Sequence, residues 1–138
     1  NRAALRKTLQ EKRFAEIREG VWMRPDNVEV GLGDEITARG RVLHARDDAP
    51  AELAARLWDL LGWASAGRAM LTAMAEAGDV PRRFVVAASM VRHLLTDPVL
   101  PDELLPHGWP GAALRAAYKD FAAELVARRD SAEFAEVR

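Results

Sequence analysis

A proline-rich stretch near the C-terminal end constrains the fold of this chain more than any other feature of its sequence. Residues 96–111 read TDPVLPDELLPHGWPG and contain four of the seven prolines among the 138 residues. Proline fixes its own φ and biases the preceding residue toward an extended backbone, so this segment has few conformations to lose when it orders. Between the prolines stand large apolar side chains, at Leu100, Leu104, Leu105 and Trp109.

These apolar side chains predict that residues 96–111, here called the strap, lie flat across neighbouring helices with the leucines and Trp109 in grooves. A single helical turn capped by Asp102 is expected within it. The alternative is an exposed apolar patch that contacts another subunit. Under the first interpretation the structural residues of the strap are Pro98, Leu100, Pro101, Leu104, Leu105, Pro106, Trp109 and Pro110.

The composition is that of a soluble globular protein, with 49% hydrophobic residues, 30% charged residues and a formal net charge of −1. Near-neutral charge argues against a free-standing nucleic-acid-binding domain, which usually carries a basic excess. The absence of cysteine excludes disulfides and thiolate metal sites, and no apolar run approaches the ~20 residues that span a bilayer. We therefore expect a cytoplasmic protein without membrane association. Because the chain opens at Asn1 in a helix-like sequence, we also expect residues before it in the gene product.

The first third of the chain mixes helix and strand signals. Residues 2–13 favour a helix and are rich in Arg and Lys, which indicates either a face near nucleic acid or a solvated helix surface. GVWMRP, residues 20–25, has the content of a short strand that Pro25 ends. RVLHARD, residues 41–47, alternates apolar and polar side chains as a second strand would. The stretch DNVEVGLGDE between them reads as a loop.

From Pro50 onward the apolar residues follow helical spacing. The first predicted helix covers residues 51–61, with Asp48 as its cap and Gly62 as its end. The second predicted helix ends at Gly78.

The third predicted helix is capped by Asp79 and has Pro81 in its first turn, and the fourth begins after Pro110. The sequence therefore predicts an α+β fold. Residues 1–48 form a mixed unit that lacks its opening strand, and residues 49–138 form a mainly α-helical C-terminal domain that includes the strap.

The strap resembles the C-terminal signature of the PaaX-like family, the phenylacetic-acid-degradation repressors. That signature reads L-x-D-P-x-L-P-x-E-L-L-P-x-x-W-P-G, and this chain matches it from Leu95 to Gly111. GVWMRPDN resembles the family's G-V-W-x-x-P element, ARLWDLLGW resembles its W-D element, and RRFVVAASMVRHLLTDP resembles the helix that leads into the strap. The resemblance covers nearly the whole chain.

The resemblance implies a bacterial transcriptional repressor. In the family a winged-helix DNA-binding domain precedes a central ferredoxin-like unit, so residues 1–48 would be a partial ferredoxin-like unit without its first strand. The apolar helix expected between the family's two strands is not evident in DNVEVGLGDEITARG. The implied partners are a second copy in a homodimer, operator DNA bound through the winged helix, and an aryl-acyl-CoA effector.

A coenzyme A thioester needs cations for its phosphates and an apolar slot for its acyl group. The candidates for effector binding are Arg68, Arg82, Arg83, Arg92, Trp58 and Trp63. Each also has an ordinary structural interpretation, since helix arginines are usually solvated and tryptophans usually belong to the core. The alternative function is a protein-interaction and dimerisation module with no small-molecule site.

Nothing in the sequence indicates catalysis. His93 and Asp97 stand four residues apart, which is at most half of a metal site, because zinc needs three or four ligands. Ser65, Ser89 and Ser131 lack the sequence context of a nucleophile elbow. We expect no enzyme activity, no catalytic residues, no metal and no cofactor.

Overall fold

The computed structural model describes the backbone of residues 1–137 and the side chains of residues 1–136. It confirms an α+β fold with a helical C-terminal part. The elements are, in chain order, α1 (Arg2–Glu11), β1 (Ala15–Arg18), β2 (Val21–Met23), α2 (Gly33–Arg39), α3 (Pro50–Leu57), α4 (Leu60–Glu76), α5 (Val80–Leu94), a 3₁₀ turn (Asp102–Leu104) and α6 (Gly111–Val137).

The two described strands form an antiparallel hairpin. Ala15 pairs with Met23 and Glu16 with Trp22, and an irregularity in the ladder follows Glu16. Gly20 makes the turn with a φ of 81°, a conformation in which glycine has no steric penalty. The strand predicted over residues 20–25 is confirmed as β2, whereas β1 was not predicted.

The second predicted strand, over residues 41–47, is wrong. These residues have no regular secondary structure, and Val42 and Leu43 are 50% and 78% exposed. A strand needs a neighbour for its backbone N–H and C=O groups, and the described sheet contains β1 and β2 alone. The stretch before it, DNVEVGLGDE, was predicted as a loop, but its last residues belong to α2. Asp34 and Glu35 lie in the first turn of α2 and stabilise it, because their negative charges lie near the positive end of the helix dipole.

The helix predicted over residues 51–61 is also wrong in its bounds. Helix α3 ends at Leu57 because Trp58 takes an extended conformation, and α4 begins two residues later and runs through Gly62. Asp48 is not the cap of α3. The N-cap position is Ala49, whose N–H donates to Asp47 Oδ1 over 2.8 Å.

Two other cap predictions have opposite outcomes. The Asp79 side chain accepts the N–H of Arg82 and caps α5, with proline in the first turn as expected. The turn inside the strap forms, but Pro101 occupies its N-cap position and no side chain caps it, so Asp102 is not a cap.

The described residues divide into two compact units. The first comprises Asn1–Leu60 and Pro98–His107, and the second comprises Leu61–Asp97 and Gly108 onward. In the first unit, α3 contacts β1 and the 3₁₀ turn, and the buried side chains include Leu9, Leu53, Leu60 and Leu100. In the second unit, the core is built on Trp63, Met90 and Leu114. The division into domains 1–48 and 49–138 stays a prediction.

Candidate functional site

An aromatic stack is the most organised cluster of side chains in the second unit. The ring of Trp63 stacks on His93 with centroids 4.2 Å apart, and on Trp109 with centroids 4.5 Å apart. Trp63 comes from α4, His93 from the last turn of α5 and Trp109 from the segment just before α6. Stacked aromatic pairs contribute about 0.5–1.5 kcal/mol beyond the area that they bury.

Hydrogen bonds fix the orientation of this stack. The Trp63 Nε1–H group donates to the His93 carbonyl oxygen (3.2 Å) and to Thr96 Oγ1 (3.0 Å). His93 Nε2 lies 2.8 Å from the Trp63 carbonyl oxygen. Because a carbonyl oxygen only accepts, Nε2 must carry a proton in this arrangement. The Trp63 Nε1–H group and the His93 Nε2 atom are thus both used in hydrogen bonds within the second unit.

The beginning of α6 packs closely on α4. A Cβ atom added at Gly67 would lie 2.9 Å from Leu114 Cδ1 and 3.0 Å from Pro110 Cγ. The glycine therefore allows the two helices to approach at this point. Another contact at the start of α6 involves Asp97, which is 7% exposed and whose Oδ2 lies 3.5 Å from Arg115 Nη1.

The strap residues are divided between the two units. Residues 98–107 belong to the first unit, whereas Trp109 and Pro110 belong to the second. Pro98, Leu100 and Pro110 are buried, and the half-buried members are Pro101, Leu104, Leu105, Pro106 and Trp109. In the first unit, Asn27 Nδ2 donates to the Val99 carbonyl oxygen over 2.9 Å.

Arg24 organises the loop that carries Asn27. Its guanidinium donates to the Lys12 carbonyl oxygen (2.9 Å), to the Pro25 carbonyl oxygen (3.2 Å) and to Asn27 Oδ1 (3.2 Å). Burial, followed by the charge of Arg13, lowers the pKa of Arg24 from its usual value. Sequence reasoning missed this network, because its members are residue types that are common on protein surfaces.

The residues predicted to bind an effector are used in different ways. Trp63 belongs to the aromatic stack, and Trp58 is half-buried in the first unit. The Arg83 guanidinium pairs with Glu124, while its Nε is buried without a hydrogen-bond partner.

The other three predicted cations are exposed. Arg82 lies 3.6 Å from Asp79, Arg92 donates to Ser89 Oγ over 3.2 Å, and Arg68 stands on the exposed side of α4. No described hydrogen bond, ion pair or ring contact joins any two of the six predicted residues. An open hollow occurs at residues 26–31, and none of the six lines it.

The basic residues of α1 largely have partners within the first unit. Arg2 lies 3.6 Å from Glu19, Arg6 pairs with Glu16, and Lys7 lies within 3.9 Å of Glu11. These pairs neutralise much of the positive charge and favour a solvated helix surface over a nucleic-acid interface.

The described residues contain no group of three or more His, Cys, Asp or Glu side chains that could hold a metal ion. The two half-site candidates have other contacts, His93 with Trp63 and Asp97 with Arg115. None of the helices described is long and apolar enough to cross a bilayer.

Comparison with known families gives these contacts a context. A family model described as "PaaX-like protein C-terminal domain" matches residues 50–136. The chain belongs to the PaaX-like family of transcriptional regulators. The match includes the aromatic stack and the strap.

A solved structure shows the same fold. The uncharacterized protein Rv0674 from Mycobacterium tuberculosis is 62% identical to this chain, with a TM-score of 0.91. The similarity covers 96% of this PaaX-like chain and 56% of the Rv0674 chain, so the sequence spans little more than half of that protein's length. A comparison with curated proteins found no match.

Proposed function

We propose that this chain is the effector-sensing and dimerisation region of a bacterial, cytoplasmic PaaX-like repressor that is not an enzyme. One observation carries the proposal. The family model matches residues 50–136, and the three motif stretches within it meet physically, because His93 and Trp109 both stack on Trp63. The repressor would bind operator DNA through a winged helix outside these 138 residues.

The proposed effector is an aryl-acyl-CoA. Its phosphates need cations that are accessible and not neutralised by buried partners. Arg68 and Arg92 fit this requirement best, since both are exposed on α4 and α5, and Arg82 is a further candidate. Arg83 is less available because it pairs with Glu124, and Trp63 is occupied by the stack.

Thermal denaturation in the presence of phenylacetyl-CoA, other acyl-CoA thioesters and free coenzyme A tests effector binding. A ligand that binds the native state raises the melting temperature as its concentration rises. We expect a rise with at least one thioester, reduced in an Arg68→Ala, Arg92→Ala double variant. The matched control is Arg129→Ala, which removes another exposed arginine from α6. If no thioester raised the melting temperature, the effector-sensing function would be ruled out, and a protein-interaction and dimerisation module without a small-molecule site would remain.

The second candidate function, a dimerisation module without a small-molecule site, is favoured by the surface of α5. Phe84, Val85 and Leu95 are 58%, 65% and 68% exposed on this helix or at its end. Large apolar side chains exposed on one helix are typical of contact surfaces.

Light scattering after size exclusion tests the dimer independently of any ligand. We expect a mass of two chains at high protein concentration, shifting to one chain in a Phe84→Ser, Leu95→Ser variant. A wild-type monomer at all concentrations contradicts both the homodimer and the role of this surface.

A further inference from the structure

Residues 37–46 form a basic segment on the surface of the first unit. They read TARGRVLHAR and contain three arginines and no carboxylate. The basic segment covers the end of α2 and part of the irregular stretch that leads to α3, and all ten of its residues are exposed. Even its apolar side chains, Val42 and Leu43, are at least half exposed. The segment therefore contributes little to the packing of the unit.

The three arginines of the basic segment have no partner within the described residues. The side chains of Arg39, Arg41 and Arg46 make no described hydrogen bond, ion pair or ring contact within residues 1–136. The remaining titratable member, His44, lies 3.4 Å from Asp26. By contrast, the basic residues of α1 largely pair with acidic side chains of the same unit. The basic segment therefore carries positive charge that the fold does not use.

Three of the four acidic residues that flank the basic segment have structural roles of their own. Asp34 and Glu35 lie in the first turn of α2, where their charges stabilise the helix dipole. Asp47 Oδ1 accepts the N–H of Ala49 over 2.8 Å at the start of α3. These carboxylates stabilise the ends of helices and form no described ion pair with the three arginines.

We propose that the basic segment binds the phosphodiester backbone of double-stranded DNA, as a contact separate from the winged helix of the proposed repressor. An arginine guanidinium donates to phosphate oxygens, often through two N–H groups at once. The chain belongs to a family of transcriptional regulators, so DNA is the polyanion that this surface would meet. The choice of DNA as the partner rests on the proposed function, whereas the charge and exposure of the basic segment do not.

Such a contact positions a regulator and does not select its operator. Phosphate contacts fix the register and orientation of a protein on the duplex, but they carry no sequence information. The basic segment should therefore bind duplexes of any sequence, weakly and with a strong dependence on salt.

Fluorescence anisotropy of the 138-residue chain with a labelled duplex of arbitrary sequence tests this contact. We expect the affinity to fall about 80-fold between 20 and 100 mM NaCl, because counterion release from three phosphates gives a log–log slope of about −2.7. An Arg39→Ala, Arg41→Ala, Arg46→Ala variant should lose most of the binding and most of this slope. Lysine at the same three positions keeps the charges and should retain the slope.

The matched control removes three exposed cations that lie outside the basic segment, in an Arg18→Ala, Lys119→Ala, Arg129→Ala variant. It changes the net charge equally and should bind DNA like the wild type. Unchanged melting temperatures show that the variants are folded, as expected for side chains without described contacts.

Three outcomes would overturn the contact. The first is a wild-type chain that does not bind the duplex at 20 mM NaCl. The second is a control variant that loses as much affinity as the alanine variant of the basic segment. The third is displacement of the duplex by polyglutamate at the same concentration of negative charge, which would indicate an acidic protein as the partner. Each of these leaves the effector and dimer tests untouched, because neither involves the basic segment.

Discussion

The indole rings of Trp63 and Trp109 lie parallel, with centroids 4.5 Å apart and planes 10° apart. This contact joins α4 to the segment that precedes α6, two parts of the chain 46 positions apart. The Trp109 ring is half-buried, so the stack is both a packing contact and an edge of the second unit. The stability of that unit should therefore depend strongly on this pair.

We expect Trp109→Ala to lower the free energy of unfolding by ~3 kcal/mol, because removal of a packed aromatic ring leaves a cavity and loses the stack. Trp109→Phe keeps a smaller ring and should cost only about 1 kcal/mol. Urea denaturation followed by circular dichroism measures both changes. A loss below ~0.5 kcal/mol in the alanine variant would show that the stack contributes little.

Gly67→Ala should destabilise the protein, although alanine favours a helix by about 1 kcal/mol over glycine. The added Cβ would meet Leu114, which is fully buried, and the stiff ring of Pro110, so neither neighbour can move away easily. We expect a net loss of about 1–2 kcal/mol from overpacking. Ser65→Ala, at an exposed position of the same helix, is the control and should change stability by less than ~0.5 kcal/mol. A stabilised Gly67→Ala protein would mean that α4 and α6 do not pack this closely.

Asp97 and Arg115 should contribute unequally despite forming one ion pair. The Asp97 side chain is 9% exposed and that of Arg115 is 60% exposed. We expect Asp97→Ala to cost about 2 kcal/mol, because a buried carboxylate loses charge-assisted contacts. Arg115→Ala should cost less than ~1 kcal/mol, since exposed ion pairs contribute little. Urea denaturation measures both changes. If the two variants lost the same free energy of unfolding, the burial of Asp97 would not be what makes it important for stability.

Arg83 and Arg82 are neighbours in the sequence but differ in role. The Arg83 side chain is 25% exposed and pairs with Glu124, whereas that of Arg82 is 76% exposed. Arg83→Ala should therefore lower the free energy of unfolding by about 1–2 kcal/mol, while the ion pair between Glu124 and Arg128 remains. Arg82→Ala should change it by less than ~0.5 kcal/mol. If Arg83→Ala left stability unchanged but abolished an effector-dependent melting shift, Arg83 would belong to the effector site instead.

Helices could be predicted from the sequence where caps, prolines and apolar spacing within the helix determine them. Asp79 and a proline in the first turn define the start of α5, and α6 buries Leu114 and Phe121, whose spacing of seven residues places them on one helix face. These features depend on residues within one or two turns of each other. The resemblance to the PaaX-like family was also readable, because its signature is short and dense in proline.

Features that depend on distant residues could not be read in the same way. Residues 41–47 have strand-like alternation, but no local pattern reveals whether a neighbouring strand is present. The contact between Gly67 and Pro110 joins positions 43 residues apart, and a helical glycine alone does not predict it. Likewise, the sequence shows only that His93 stands near a helix end, four positions from Asp97, and its stacking on Trp63 becomes visible only when α4 and α5 are packed.

Because residues 98–107 belong to the first unit, they restrict which truncated fragments of the protein can fold. A fragment cloned from residue 50 to residue 136 would follow the family match, yet it would remove α1, the hairpin and Asn27 from the unit to which α3 and these ten residues belong. Such a fragment would lose the contact between α3 and β1 and would be prone to aggregate. Shorter versions intended for crystallisation or binding assays should therefore keep residues 1–49.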